Sequence, residues 1–111
     1  MQLIIMKVLE RWSQGATFDK SWFHSEFEFI CASDLVDEDY WLDESEDGLE
    51  PTPISVIEAV SSKNKEVVVF EWNDSLTGVN FRTVWVATIK GDLIMRLLEI
   101  RERVSSLISM Q

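Results

Sequence analysis

Few side chains in this sequence are of the kinds that make or break bonds. His24 is the only histidine and Cys31 the only cysteine among 111 residues. An imidazole titrates near neutral pH, so His24, at the end of a predicted short helix, is a candidate general base; a surface histidine at a helix end is the commoner outcome. Asp34 and Tyr40 are weaker candidates for a base and a hydrogen-bond donor. A thiol nucleophile at Cys31 would need a base beside it, and only His24 is available, so a small buried apolar residue is expected there. There is no Gly-x-Ser-x-Gly, no phosphate-cradling loop and no dinucleotide fingerprint; Gly15, Gly48, Gly78 and Gly91 all stand at expected turns. Hydrolase triads and nucleotide chemistry are poor fits, and no cofactor is expected.

Metal chemistry fares no better. Asp43-Glu-Ser-Glu-Asp47-Gly48 reproduces the first half of an EF-hand loop, but position 12 is Ile54 where a bidentate Glu is needed, and Pro51 and Pro53 interrupt the turn. One His and one Cys in no ligand spacing argue against a transition metal.

Charge narrows the partners. Twenty acids against 10 bases give a net charge of −10, which disfavours nucleic acid. Nine of the acids lie between Asp34 and Glu50 with no base among them, so the surplus belongs to one segment. Such a run is usually a solvated helix face with an acidic loop; the alternative is a docking surface for a basic protein partner. With 46% apolar residues, five Trp and six Phe, the chain has the means for one packed core, a single domain over 1–111. A lone cysteine and short apolar runs predict a soluble cytoplasmic protein with no membrane contact.

The elements that must position these residues follow from periodicity. Ile4, Ile5, Val8, Leu9 and Trp12 form one stripe of a helix over residues 2–14, stopped by Gln14-Gly15. A short helix over 19–24, capped by Thr17 or Asp19, turns Trp22 and Phe23 inward. Residues 26–31 alternate, placing Phe27 and Phe29 on one face of a strand. Asp37 caps a third helix to about Ser45, with Tyr40 and Trp41 near its inner face. After the Pro51/Pro53 loop the pattern is β: 54–61 (with a helix from Pro53 as the alternative), a turn at 62–65, a strong strand over 66–72, a turn at 73–78 and a long strand over 79–90. Gly91-Asp92 fits a two-residue hairpin turn with Gly at its first central position. Residues 93–104 read as the returning strand, although Leu93, Leu97, Ile100 and Val104 also suit a helix capped by Asp92.

Pairing Lys90 with Leu93 and counting back sets Ala87 opposite Arg96, Trp85 opposite Leu98, Thr83 opposite Ile100 and Phe81 opposite Glu102, all facing inward. The expected pocket is lined by Trp12, Trp41, Phe81, Thr83, Trp85 and Leu98, with Arg96 orienting an anionic or carbonyl group; alternatively Arg96 pairs with Glu71 or Glu102. A five-residue turn at 74–78 brings Glu71 beside Phe81 unless a bulge flips it. The other face offers Val84, Val86, Met95 and Leu97, flanked by Arg82, Thr88, Glu99 and Arg101, an apolar centre with a charged rim suited to self-association.

The order helix, short helix, strand, helix and four strands resembles the NTF2-like, or SnoaL-like, α+β cone. Residues 8–15 and 18–30 resemble that family's opening, where a helix ends near a Gly and a short helix leads into an aromatic-rich first strand. Residues 77–94 resemble its closing strands, where a long strand ends in a charged-Gly-Asp turn. The resemblance implies helices packed in a strongly curved, mostly antiparallel sheet, an apolar cavity at the wide end and a homodimer through the outer sheet face; the alternative is a novel α+β fold with a C-terminal helix. Since the family's members are isomerases, dehydratases, cyclases, ligand binders or assembly modules, fold does not settle function. The leading expectation is a homodimer that binds a small apolar molecule; the alternatives are an interaction module using residues 34–50, or an isomerase or dehydratase. An acidic segment near the cone's entrance would disfavour anionic ligands, in tension with an inward arginine.

Overall fold

The computed structural model of the chain describes residues 3–16, 18–31, 35–36, 52–74 and 78–104. Helix α1 (Ile4–Ser13) is followed by a 3-10 helix (Lys20–Trp22) and strands β1 (Phe23–Cys31), β2 (Leu35–Val36), β3 (Ile54–Ser62), β4 (Lys65–Asn73), β5 (Asn80–Lys90) and β6 (Leu93–Val104). The strands form one sheet in the order β2-β1-β6-β5-β4-β3, antiparallel except where β1 runs parallel to β6. Residues 93–104 are therefore strand, and 54–62 likewise. The predicted third helix lies outside the described residues. Among those residues no helix is long and apolar enough to cross a membrane.

Helix α1 forms because Ile5, Val8 and Leu9 fall on one stripe and bury fully against the sheet. Its end is chemically determined: Gly15 takes φ 68°, Gly15 N–H donates to the Trp12 carbonyl, and Ala16 N–H donates to that of Arg11. These are the two bonds of a Schellman cap, which glycine permits without steric cost. Its start has no cap of its own, since Leu3 supplies no side-chain acceptor. Instead Ile5 N–H donates to Glu66 Oε1 from β4 at 2.9 Å. A carboxylate there satisfies an orphan donor and complements the helix dipole.

The short helix expected over 19–24 is only the 3-10 turn Lys20–Trp22, capped by Asp19, whose carboxylate accepts from Ser21 N–H at 2.9 Å and Ser21 Oγ at 2.6 Å. Phe23, Phe27 and Phe29 are all buried, so the extended pattern starts at Phe23 and takes His24 into β1.

The strand registers hold the main correction. Gly91 (φ 58°) and Asp92 (φ 64°) are both left-handed, the type I′ geometry and not the form needing positive φ at the glycine alone. Lys90 pairs with Leu93 and Ile89 with Ile94 as expected, but Thr88 then pairs with Arg96, leaving Met95 as an extra residue in a bulge. Every later pairing moves by one: Ala87 faces Leu97, Val86 faces Leu98, Trp85 faces Glu99, Val84 faces Ile100 and Thr83 faces Arg101. Because side chains alternate, this reverses the faces beyond the bulge. The physical reason is that Ile94 and Leu97 are both fully buried, and two residues three apart share a strand face only if one is extra. The β4–β5 connection differs in the same way. Asn73 pairs with Asn80, so the loop runs from 74 to 79, and Trp72, not Glu71, stands beside Phe81.

Candidate functional site: the inner face of the sheet

Where α1 ends over the sheet, five rings meet. Trp12 from the last turn of α1 lies edge-on to Phe70, Trp72 and Trp85, with centroids 5.7, 5.1 and 6.0 Å away. Phe70 and Trp85 are 5.0 Å apart and Trp72 and Phe81 5.1 Å. Edge-to-face packing of this kind adds about 0.5–1.5 kcal/mol per pair to the burial of the rings themselves.

Burying indoles brings polar N–H groups with it, and those of Trp72 and Trp85 find acceptors. Trp72 Nε1 donates to Thr83 Oγ1 at 3.0 Å, which gives the fully buried threonine its role. Trp85 Nε1 donates to Glu99 Oε1 at 2.9 Å. Glu99 is a carboxylate with only 7% of its side chain exposed, and Arg101 Nη2 donates to both its oxygens at 3.2 Å. The Arg101 guanidinium also lies over Trp72 and Phe81, its carbon 5.0 and 5.6 Å from the ring centroids. Cation–π attraction and the ion pair thus hold one guanidinium against two ring faces.

Trp72 and Phe81 wall an open cavity of about 300 Å³ whose other lining residues are Pro53, Ile54, Ser55, Glu71, Asn73, Asn80 and Val104. Its wall is apolar and aromatic at Pro53, Ile54, Trp72, Phe81 and Val104, with the amides of Asn73 and Asn80, the Ser55 hydroxyl and the Glu71 carboxylate beside them, the make-up of a small-molecule site.

The structure brings together some of the predicted pocket residues and separates others. Trp12, Phe81, Thr83 and Trp85 share the inner face. Arg96 and Leu98 do not, since the Met95 bulge sends both outward. Arg96 pairs there with Glu28 of β1, Nη2 to Oε1 at 2.5 Å, and not with Glu71 or Glu102. Glu71 instead holds Arg82 at 2.8 Å on the outer face. Of the four residues expected on the outer face, Val84 and Val86 are half-buried there, Leu97 is fully buried in the core and Met95 is the bulge residue. Glu99 and Arg101, expected on the outer rim, are the inner face's charged pair. Trp72, Glu99 and Arg101 were missed for one reason, a register counted without extra residues.

His24 Nδ1 accepts from Glu26 N–H at 3.0 Å, and His24 takes no part in the contacts around the cavity. Asp34, Tyr40 and Trp41 lie outside the described residues, as do the acidic segment from 37 to 51 and the EF-hand-like stretch within it. Cys31 ends β1, and its expected burial falls outside what is described. Among the described residues no cluster of three or more His, Cys, Asp or Glu could hold a metal ion.

No protein-family model matches the chain, and no curated protein matches it by sequence. Solved structures do match by shape. An NTF2-like protein of unknown function from Cytophaga hutchinsonii superposes with a TM-score of 0.69 at 10% identity, covering 92% of this chain and 93% of that one. AclR of Streptomyces galilaeus, named as a candidate hydroxylase, gives 0.71 at 10% identity over 96% and 81%. A candidate ketosteroid isomerase from Kribbella flavida gives 0.63 at 8% identity over 93% and 72%. At such identities the likeness speaks to architecture only, and with the helix laid against a curved mixed sheet that stays open at both edges, this chain has the NTF2-like α+β fold.

Proposed function

We propose that this protein binds a small, largely apolar molecule at the end of its sheet where β3, β4, β5 and β6 meet beside Trp72 and Phe81. The observation that carries the reading is the cavity of about 300 Å³ walled by Trp72 and Phe81 and backed by the Trp12–Phe70–Trp85 cluster. Among the described residues no acid–base machinery is part of it: Glu99 is engaged by Trp85 and Arg101, and His24 stands elsewhere. Binding without catalysis is therefore the reading the geometry supports best. Thermal shift and intrinsic tryptophan emission across a panel of small aromatic and alicyclic compounds test it. A stabilising ligand whose effect is lost in Trp72→Ala supports the pocket; no stabilisation by any class, with Trp72→Ala unchanged in response, rejects it.

The chain acts, in the same reading, as a homodimer through its outer sheet face. Support comes from Val67, Val69, Val84, Val86 and Leu98, half-buried across three strands, with Ile100 44% and Val60 49% exposed beside them. The ion pairs Glu71–Arg82 and Glu28–Arg96 flank this apolar field. An apolar centre with a charged rim is the make-up of a self-association surface. Light scattering on the eluting protein should give twice the chain mass, and Val84→Glu should give the monomer; a wild-type monomer at tens of micromolar would overturn it.

A further inference from the structure

We propose that the ligand carries a primary ammonium group on its apolar body, anchored by the second oxygen of Glu71 and the side-chain carbonyl of Asn73; this rests on the pocket reading above and specifies its chemistry. Among the described residues that line the cavity, Glu71 alone is charged. Arg82 holds that carboxylate from outside the lining, and by one oxygen only: its Nε and Nη2 both donate to Oε2, at 3.1 and 2.8 Å. Oε1 has no hydrogen-bond partner among the described residues, and the side chain is 34% exposed. A carboxylate accepts through both oxygens, so half of its capacity is left over.

Asn73 adds an acceptor whose orientation is fixed. Its Nδ2 donates to the Gly78 carbonyl at 3.2 Å and to Asn80 Oδ1 at 2.8 Å, which uses both amide hydrogens and leaves Oδ1 without a partner among the described residues. The Gly78 carbonyl can only accept, so the amide cannot be turned round without losing that bond. Asn73 and Glu71 are two apart on β4 and therefore share one side of the strand, about 7 Å from each other along it. Ser55 stands opposite Glu71 in register on β3, and its hydroxyl, unpartnered among the described residues, is a third oxygen beside them.

Three acceptors call for donors. An ammonium group offers three N–H bonds and a positive charge, with no lone pair to oppose the carboxylate. A carboxylate ligand would bring only acceptors to the same oxygens and meet a like charge. An alcohol offers one donor and leaves the other acceptors to water. The net charge of −10 points the same way, since it raises the local concentration of cations around the molecule. Arg82 weakens this site without closing it, because it offsets part of the Glu71 charge and leaves Oε1 in place.

Three probes that share one ring and chain test this by calorimetric titration into the full chain: 3-phenylpropylamine, 3-phenylpropan-1-ol and 3-phenylpropionate. At neutral pH the amine should bind about five- to tenfold tighter than the alcohol, with the acid weakest. Glu71→Gln, checked for native circular dichroism, should erase the amine's lead. Arg82→Met should act in the opposite direction: it removes the competing cation and frees Oε2, so the amine should tighten at least about threefold while the alcohol stays within about twofold. A Glu71 that served only to pair with Arg82 would give the same loss in both variants. If the alcohol or the acid binds wild type as well as the amine does, or if Arg82→Met fails to tighten the amine, the ammonium assignment is overturned while the pocket stands. If none of the three binds at millimolar concentration, both fall.

Discussion

Strand β6 carries two arginine–glutamate pairs five residues apart, and they live in different physical worlds. Arg96 and Glu28 meet on the outer face with side chains 55% and 43% exposed. Arg101 and Glu99 meet on the inner face, with Glu99 almost sealed from water and bonded to an indole as well. The bond lengths rank them wrongly, since the exposed pair is the shorter. Water and side-chain entropy offset most of what an exposed pair gains, whereas a sealed carboxylate depends on every partner it has. One extra residue, Met95, decides which of the arginines belongs to which world.

The strongest way to break this comparison is to insert one alanine between Arg96 and Leu97. The insertion keeps the Met95 bulge and reverses every face beyond it, carrying Leu97, Glu99 and Arg101 outward, so it should prevent cooperative folding or cost at least ~4 kcal/mol in urea. Deleting Met95, by contrast, leaves every pairing in place and should be tolerated. Next in size, Glu99→Ala strands the Trp85 N–H and the Arg101 charge and should cost about 3 kcal/mol, where Glu28→Ala costs at most ~1 kcal/mol and nothing in high salt. Equal losses for the two would sink the distinction. Trp85→Phe keeps a ring and removes the donor, and should cost about 1–2 kcal/mol by the same denaturation measurement.

The smallest effect concerns a carboxylate outside both pairs. The Ser21 hydroxyl and amide, with a lesser contribution from Arg11, hold the Asp19 carboxyl below the usual carboxylate range. A depressed folded-state pKa stabilises above the unfolded value near 4 and is lost as pH falls through the folded one. Ser21→Ala should move the Asp19 titration, followed by carboxyl chemical shifts, back up towards the ordinary value, with Asp19 ionised at pH 7 in both proteins and the small stabilisation lost there.

Much of the architecture was legible in the sequence, because burial writes its period into the residues. The α1 stripe, the Phe27/Phe29 alternation, the three later hairpin turns and the aromatic inner stripe of β5 could all be read that way. What failed was parity. A count of residues in a turn or strand locates a hairpin well, but a single unpaired residue reverses every face beyond it; Gly78 announces the turn between Asn73 and Asn80 without fixing its length, and the bulge at Met95 carries no Gly or Pro. A signal was present in β6 nonetheless. The spacing of Leu93, Leu97, Ile100 and Val104 made the segment look partly helical, and a buried bulge, which sets Ile94 and Leu97 three apart on one strand face, breaks the alternation in a similar way. Thr83, Trp85 and Phe81 were found because β5 itself is unbroken; Glu99 and Arg101 were misplaced because β6 is not.

The carboxylate that starts helix α1 comes from a residue 61 positions further along the chain. A helix of ten residues is too short to hold itself together in water, and this one lacks a cap within its own sequence. It therefore depends on β4 being in place before its first turn is worth forming. In kinetic terms α1 should be a late arrival: side-chain truncations at Val8 or Leu9 should accelerate unfolding and leave the folding rate nearly untouched, while those in the β4–β5 hairpin should slow folding. The wall on which a ligand would rest is then assembled before Trp12 closes over it.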